Sequence, residues 1–256
     1  MYPEISLFGL SVNSYGLMRM FGLLAVYFCH MHLVKKENLD KEKMLIMEFW
    51  MVIFSVTGSK ILYCLVNYNG NAWNDLLSLH LMSFFSKGYV LYGAQIATVF
   101  CVFLISYLYK MDKRYAYIGL IPMPLFNAFG RIGCFLNGCC YGKAYDGPFS
   151  IVFPNGVKAP SNIPLFPSQL AEMVAALLIF IGLYKLYHSR YRKFIPEVYG
   201  FFYSIIRFIL EYYRGDPERG MIGMFSTSQF ISIIVFIISI ISFVYRRRMQ
   251  NGFQID

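Results

Sequence analysis

Long apolar runs alternate with short polar or charged turns along the whole chain, and seven of the runs are long enough to cross a bilayer as helices. They cover Val12 to Val34, Leu45 to Asn67, Gly88 to Tyr109, Gly119 to Gly142, Pro167 to His188, Pro196 to Tyr213 and Met224 to Tyr245. The pattern predicts an all-α polytopic membrane protein with seven transmembrane helices, because only a helix or a closed barrel satisfies its backbone in lipid. Residues 1–11 read as a short amphipathic lead-in, and no cleavable leader is expected since the first run is long enough to stay as a span. Within residues 68–87, Leu76 to Phe85 is apolar but too short to cross, which suits an interfacial or re-entrant segment. Pro122 and Pro124 should kink or break the fourth span, and Pro167-Ser168-Gln169 suits a helix start. Residues 143–166 form the longest polar loop, with Pro148, Pro154, Pro160 and Pro164 and a strand-like Ser150 to Phe153. The length of 256 residues suits one membrane domain over 1–256.

Composition agrees: 57% of residues are apolar and 14% are charged, outside the range of soluble domains. The formal charge of +9 could point to nucleic acid, but fourteen of the 23 lysines and arginines fall in four blocks at the ends of apolar runs: 35–43, 110–114, 185–193 and 246–248. That is a topology signal, and it argues against a nucleic-acid surface. Seven spans put all four blocks on one side, so the N-terminus is expected outside and the C-terminus in the cytoplasm. The loops 143–166 and 214–223 then face the outer side. The six cysteines form no C-x-x-C pair and the four histidines do not cluster with them. No metal and no cofactor are therefore expected.

The chemistry concentrates in the fourth and sixth spans. Arg131 lies inside an apolar, glycine-rich run, and an arginine at bilayer depth costs about 2.5–3.5 kcal/mol on insertion scales. Asn127, Arg131, Cys134 and Gly138 recur at helical spacing, so one face of that helix is polar or small. Gly130, Gly133, Gly138 and Gly142 let another backbone or a ligand approach. A cationic recess open to lipid suits a phospholipid headgroup. In the sixth span, Arg207, Glu211 and Arg214 share a face. Arg207 reads either as half of a structural pair with Glu211 or as a phosphate ligand that Glu211 aims. Arg214, at a helix end, reads as a solvated or capping cation as well as a secondary binding group. Gln169 and Glu172 fit helix capping as well as ligand contact. Tyr15 and Tyr92 belong to a set of 21 tyrosines for which interfacial roles are the default. Lys60 reads as an anchor within the bundle. Cys134, Cys139 and Cys140 read as small packing residues rather than a nucleophile, with a disulfide among them left open.

The run Gly130-Arg-Ile-Gly-Cys-Phe-Leu-Asn-Gly-Cys-Cys-Tyr-Gly142 resembles the signature of the prolipoprotein diacylglyceryl transferase family, in a cysteine-rich branch. Ser14-Tyr-Gly-Leu-Met18, Gly58-Ser-Lys-Ile-Leu-Tyr63, Tyr92-Gly93, Pro167-Ser-Gln-Leu-Ala-Glu172 and the run Gly200 to Arg214 match in the family's order. The resemblance implies a bacterial inner-membrane enzyme with its site toward the outer leaflet and no metal requirement. It would move the diacylglyceryl group of phosphatidylglycerol to the lipobox cysteine of a preprolipoprotein, releasing glycerol phosphate. Arg131 and Arg207 match the family's central arginines, Glu211 and Arg214 its following Glu and Arg, Gly142 the closing glycine, and Tyr15 a cavity-lining tyrosine. Two positions depart: Tyr92-Gly93-Ala94 stands where members carry His-Gly-Gly, and Cys134 and Cys139 stand where they carry Asn and Glu. These implications give Arg131, Arg207 and Tyr92 catalytic roles. They leave Tyr15, Asn127, Cys134, Gly142, Gln169, Glu211 and Arg214 to substrate binding. The departures keep open a relative that modifies another acceptor, and two membrane cations would equally suit a lipid-binding or transport protein.

Overall fold

The computed structural model describes residues 2–7, 10–66, 88–216 and 220–252. The segment Leu76 to Phe85, expected at the interface, lies outside the described residues. Eight α-helices dominate those that are described: α1 Ser14–Lys36, α2 Lys41–Val66, α3 Leu91–Leu108, α4 Lys113–Leu120, α5 Met123–Asn137, α6 Ser168–Tyr187, α7 Ile195–Glu211 and α8 Thr227–Gly252. Three small antiparallel hairpins join them: β1 Glu4–Leu7 with β2 Leu10–Asn13, β3 Ile151–Val152 with β4 Pro164–Leu165, and β5 Met221–Ile222 with β6 Phe225–Ser226. The lead-in is thus the first hairpin, and part of the strand-like stretch in the long loop is β3.

Helix starts follow side-chain chemistry. Asn13 Oδ1 accepts from the N–H groups of Tyr15 and Gly16, and Asp40 and Asp112 accept from Glu42 and Arg114 in the same manner. The fourth apolar run breaks at Ile121-Pro122 into α4 and α5, as its prolines predict. Among the described residues, six stretches are long and apolar enough to cross a membrane, α4 and α5 together making one of them. The sixth predicted run became α7, whose 17 residues carry Glu197, Arg207 and Glu211 and fall short of a full apolar span. Phe28, Phe49, Phe100, Leu178 and Ile241 are exposed on the long helices, as lipid-facing side chains must be.

The chain divides into two compact units. One comprises Met1–His30, Ile121–Arg219 and Ser228–Asp256. In it α6 packs between α5 and α7. The loop after α5 folds over its own small core of Phe153, Ala159 and Leu165, against which Phe135, Tyr141, Ile151 and Val157 pack. The other unit comprises Met31–Leu120 and Gly220–Thr227, built on α2 against α3 with α4 beside them. Gly58 of α2 and Gly93 of α3 meet backbone to backbone there; a Cβ on either would overlap the other's carbonyl. Lys60 in that unit donates to the Gly88 carbonyl at 3.2 Å and sits 3.9 Å from the Tyr89 ring centre, in keeping with an anchoring role.

Candidate active site

Three helices of the first unit bring a row of charges together in its interior. Arg131 of α5 pairs with Glu172 of α6 at 2.5 Å. Arg207 of α7 pairs with the same carboxylate at 3.0 Å and with Glu211, one turn on, at 2.9 Å. The nitrogen that meets Glu211 also donates to Ser228 Oγ at 3.1 Å. Arg214 makes a two-point contact with Asp216 and stands 3.7 Å from Glu172. All three arginines, Glu172 and Glu211 are buried. The two central arginines therefore come from separate helices and converge, and the group they meet on is Glu172. Removing one partner of such a buried set leaves an uncompensated charge, which typically costs about 3–5 kcal/mol.

Sequence reasoning left Glu172 open between helix capping and ligand contact. It starts no helix: it stands within the first turns of α6, whose first residue has no side-chain cap. The signal that could have found it is general. An acid inside an apolar span needs a cation, and this chain places three within reach. Arg214 is likewise corrected. It is buried and paired, not a solvated helix-end cation.

Backbone contacts fix Arg214 against the end of the signature. Gly142 and Arg214 form an antiparallel bridge, with Lys143 N–H donating to the Tyr213 carbonyl and Gly215 N–H to the Tyr141 carbonyl. A Cβ at Gly142 would overlap the Phe166 carbonyl. Glycine is needed there because two chain segments lie against it at once.

The helix α5 stops at Gly138, whose φ of +68° suits glycine, and the N–H groups of Gly138 and Cys139 turn back to the carbonyls of Phe135 and Cys134. That reversal brings the thiols of Cys134, Cys139 and Cys140 within 4.8 Å of one another. Cys140 adopts a left-handed φ of +59°, and its carbonyl accepts from Ser168 Oγ at 2.8 Å. Gln169 Nε2 donates to the Cys139 carbonyl at 2.9 Å. Ser168 and Gln169 thus hold the signature loop instead of capping their own helix. Thiol donors from Cys134 and Cys139, then Arg214 and Arg131, hold the Cys140 thiol well below its ordinary range. The Cys139 thiol is raised; its hydrogen bond with Cys134 works the other way, but the one with Cys140 and burial prevail. Burial opposes the charge of Arg214, yet Cys140 and Asp216 beside it push its pKa up.

Among the described residues of this interior, the buried Arg131 Nε and Gln169 Oε1 have no hydrogen-bond partner. A recess between α6 and α7 opens beside the ion pairs, lined by Asn127, Glu172 and Arg207 with Ala175, Ala176, Ile179, Tyr203 and Ile206. Tyr15 lies along the small face of α5, against Gly133, and its hydroxyl accepts from Arg19 Nε at 3.1 Å. Arg19 in turn stacks 4.7 Å from the Phe126 ring centre, a contact that reading the chain by spans did not bring out. Tyr92 lies in the other unit, buried in the first turn of α3.

Apolar helices long enough to cross a membrane, with a buried arginine–carboxylate cluster shared by three helices of one unit, define a multi-pass membrane protein. The family model described as prolipoprotein diacylglyceryl transferase matches residues 4–245. A phosphatidylglycerol–prolipoprotein diacylglyceryl transferase of Clostridium tetani is 34% identical over 93% of this chain and 94% of its own length. One of Clostridium perfringens, numbered 2, is 32% identical over 90% of each chain. One of Idiomarina loihiensis is 30% identical over 93% of this chain and 90% of its own. The chain belongs to the prolipoprotein diacylglyceryl transferase family, and so to a family of transferases acting in bacterial lipoprotein biosynthesis.

Proposed function

We propose that this chain transfers the diacylglyceryl group of phosphatidylglycerol to the lipobox cysteine of a preprolipoprotein. The observation that carries the reading is the convergence of Arg131 and Arg207 on Glu172, with Arg131 Nε buried and without an acceptor. A phosphate oxygen is the acceptor this donor suits. The apolar wall of Ala175, Ala176, Ile179 and Ile206 would take the lipid beside it. In the reaction the cysteine thiolate attacks the glycerol carbon that bears the phosphate ester. The carbon–oxygen bond breaks, and glycerol phosphate leaves with the electron pair. Arg131 and Arg207 stabilise the charge that grows on the leaving phosphate; removing one such preorganised donor typically costs about 2.7–4 kcal/mol of barrier. Glu211 aims Arg207, and Arg214, Asn127, Gln169, Cys134 and Gly142 shape the binding region. Tyr15 lines it, and Tyr92 positions substrate without serving as the base, since a phenol with pKa about 10 is a poor proton acceptor at neutral pH. A Tyr92→Phe enzyme should therefore keep most of its activity.

The protein would act from the bacterial inner membrane as one membrane domain, with α7 as a seventh span, the N-terminus outside, the C-terminus in the cytoplasm, and the site toward the outer leaflet. A reporter fused after residue 256 that works only in the cytoplasm checks the orientation. The reaction is tested by incubating the protein with labelled phosphatidylglycerol and a lipobox peptide. Labelled peptide is the expected result. Label on another acceptor, or bound lipid with no transfer, would overturn it.

A further inference from the structure

Arg19 is a cation that the proposed reaction does not use. It is the sixth residue of α1, inside an apolar stretch long enough to cross a membrane. Arg131, Arg207, Arg214 and Arg246 of the same unit each meet a carboxylate. Among the described residues Arg19 meets none, and its Nη1 and Nη2 have no acceptor. A neutral cradle holds it. Nε donates to the Tyr15 hydroxyl at 3.1 Å, and the guanidinium carbon lies 4.7 Å from the Phe126 ring centre and 5.3 Å from that of Tyr15. A Cβ at Gly130 would come within 3.4 Å of the guanidinium, so glycine lets the group lie against α5. Ring contacts and one hydrogen bond thus fix the planar fork and leave its two terminal nitrogens for a ligand. A guanidinium so held takes a phosphate by two parallel hydrogen bonds. The side chain is half-buried, so a ligand can reach it. Along this seam Gly22 meets Phe126, Arg19 meets Gly130 and Tyr15 meets Gly133, so α1 runs antiparallel to α5. Arg19 therefore lies toward the end of α5 that carries the signature turn. A charge inside a span calls for a partner.

We propose that Arg19, cradled by Tyr15 and Phe126, is a second phosphate site that takes the headgroup of an anionic phospholipid at the seam of α1 and α5. Arg131 follows Gly130 directly, about 100° round α5, and pairs with Glu172 of α6. The two guanidinium groups therefore take different phosphates. At Arg19 two oxygens of the lipid's phosphate diester accept from Nη1 and Nη2, and no covalent bond changes. Charge selects the headgroup. A phosphatidylglycerol head is a net anion, whereas a choline or ethanolamine head brings a cation, and among the described residues no carboxylate pairs with Arg19 to receive one. A lipid held on this neighbouring face of α5 is the next donor for the arginine cluster. That supply role rests on the transferase reading above; the binding site does not.

The test uses the full chain in phosphatidylcholine nanodiscs holding a small fraction of phosphatidylglycerol, with native mass spectrometry to count the phosphatidylglycerol that stays bound. Wild type should keep one more than Arg19→Gln, and affinity for that extra lipid should fall at least about tenfold in the variant. Arg19→Lys keeps the charge without the fork and should bind the extra lipid with intermediate affinity. In the lipobox-peptide assay Arg19→Gln should raise the KM for phosphatidylglycerol and leave kcat unchanged. Equal counts in wild type and Arg19→Gln at matched unfolding temperature overturn the site, and so does wild-type affinity in Arg19→Lys. Phosphatidylcholine retained there as readily as phosphatidylglycerol overturns the choice of an anionic head. Displacement of the extra lipid by dissolved glycerol phosphate overturns the lipid in favour of a free phosphate ester. A lower count with an unchanged KM overturns the supply role. A lower count in a protein that never labels the peptide supports the lipid site and overturns the transferase reading instead.

Discussion

The two units each bury cations in an apolar interior, and they do it in opposite ways. In the unit built on α2 and α3, Lys60 is settled by a main-chain carbonyl and the face of Tyr89, both neutral. The helices there close on each other through Gly58 and Gly93. In the unit built on α5, α6 and α7, Arg131, Arg207 and Arg214 meet Glu172, Glu211 and Asp216, and a buried donor, Arg131 Nε, is left over beside a recess. The second holds strongly interacting groups in place and leaves one buried donor, Arg131 Nε, beside a recess; under the proposed function that donor meets the phosphate. A buried cation is thus no sign of function by itself; what it faces has to be read with it.

That contrast can be broken by mutation. Glu172→Ala should have the largest effect, destabilising the protein by about 3–5 kcal/mol because two arginines lose their shared counter-charge. Thermal unfolding in detergent and the lipid-transfer assay should both register it. Arg131→Lys keeps a positive charge but loses the planar fork and its Nε donor. Transfer should fall by about 10²–10³-fold, while the unfolding temperature moves little. Gly58→Leu attacks the other unit and should destabilise by about 1–3 kcal/mol through overpacking, with transfer per folded molecule unchanged. Lys60→Met should be the mildest, within about 1 kcal/mol of wild type, since replacing a buried ion by an apolar residue of similar volume is often neutral. If Lys60→Met abolished transfer in folded protein, the division between a structural and a functional cation would be wrong.

Much of the helical architecture was legible in the chain because apolar length and proline placement act locally. The break at Ile121-Pro122 and the fourth span's polar face needed only the sequence around them. The seven runs did not all become equal spans. Charged residues in the sixth shortened its apolar stretch, and α7 ends with Glu211 turned to Arg207. The first hairpin and the folded core of the loop 143–166 were largely missed. Pairings such as Ile151 with Leu165 join residues that neither periodicity nor turn chemistry links.

The candidate site divides along the same line. Arg131, Arg207, Glu211 and Arg214 stood out by themselves, because a charge in an apolar run is conspicuous wherever it folds and one helical face needs only its own spacing. Which anion each arginine would meet was not so written. Glu172 becomes the hub only when α6 packs between α5 and α7, and Cys134, Cys139 and Cys140 become one cluster only when α5 ends at Gly138 and α6 pins the returning loop. Local patterns determine what each helix carries; long-range packing decides what those groups face, because charge pairing and side-chain clustering depend on distances of a few ångströms that no spacing along the chain encodes.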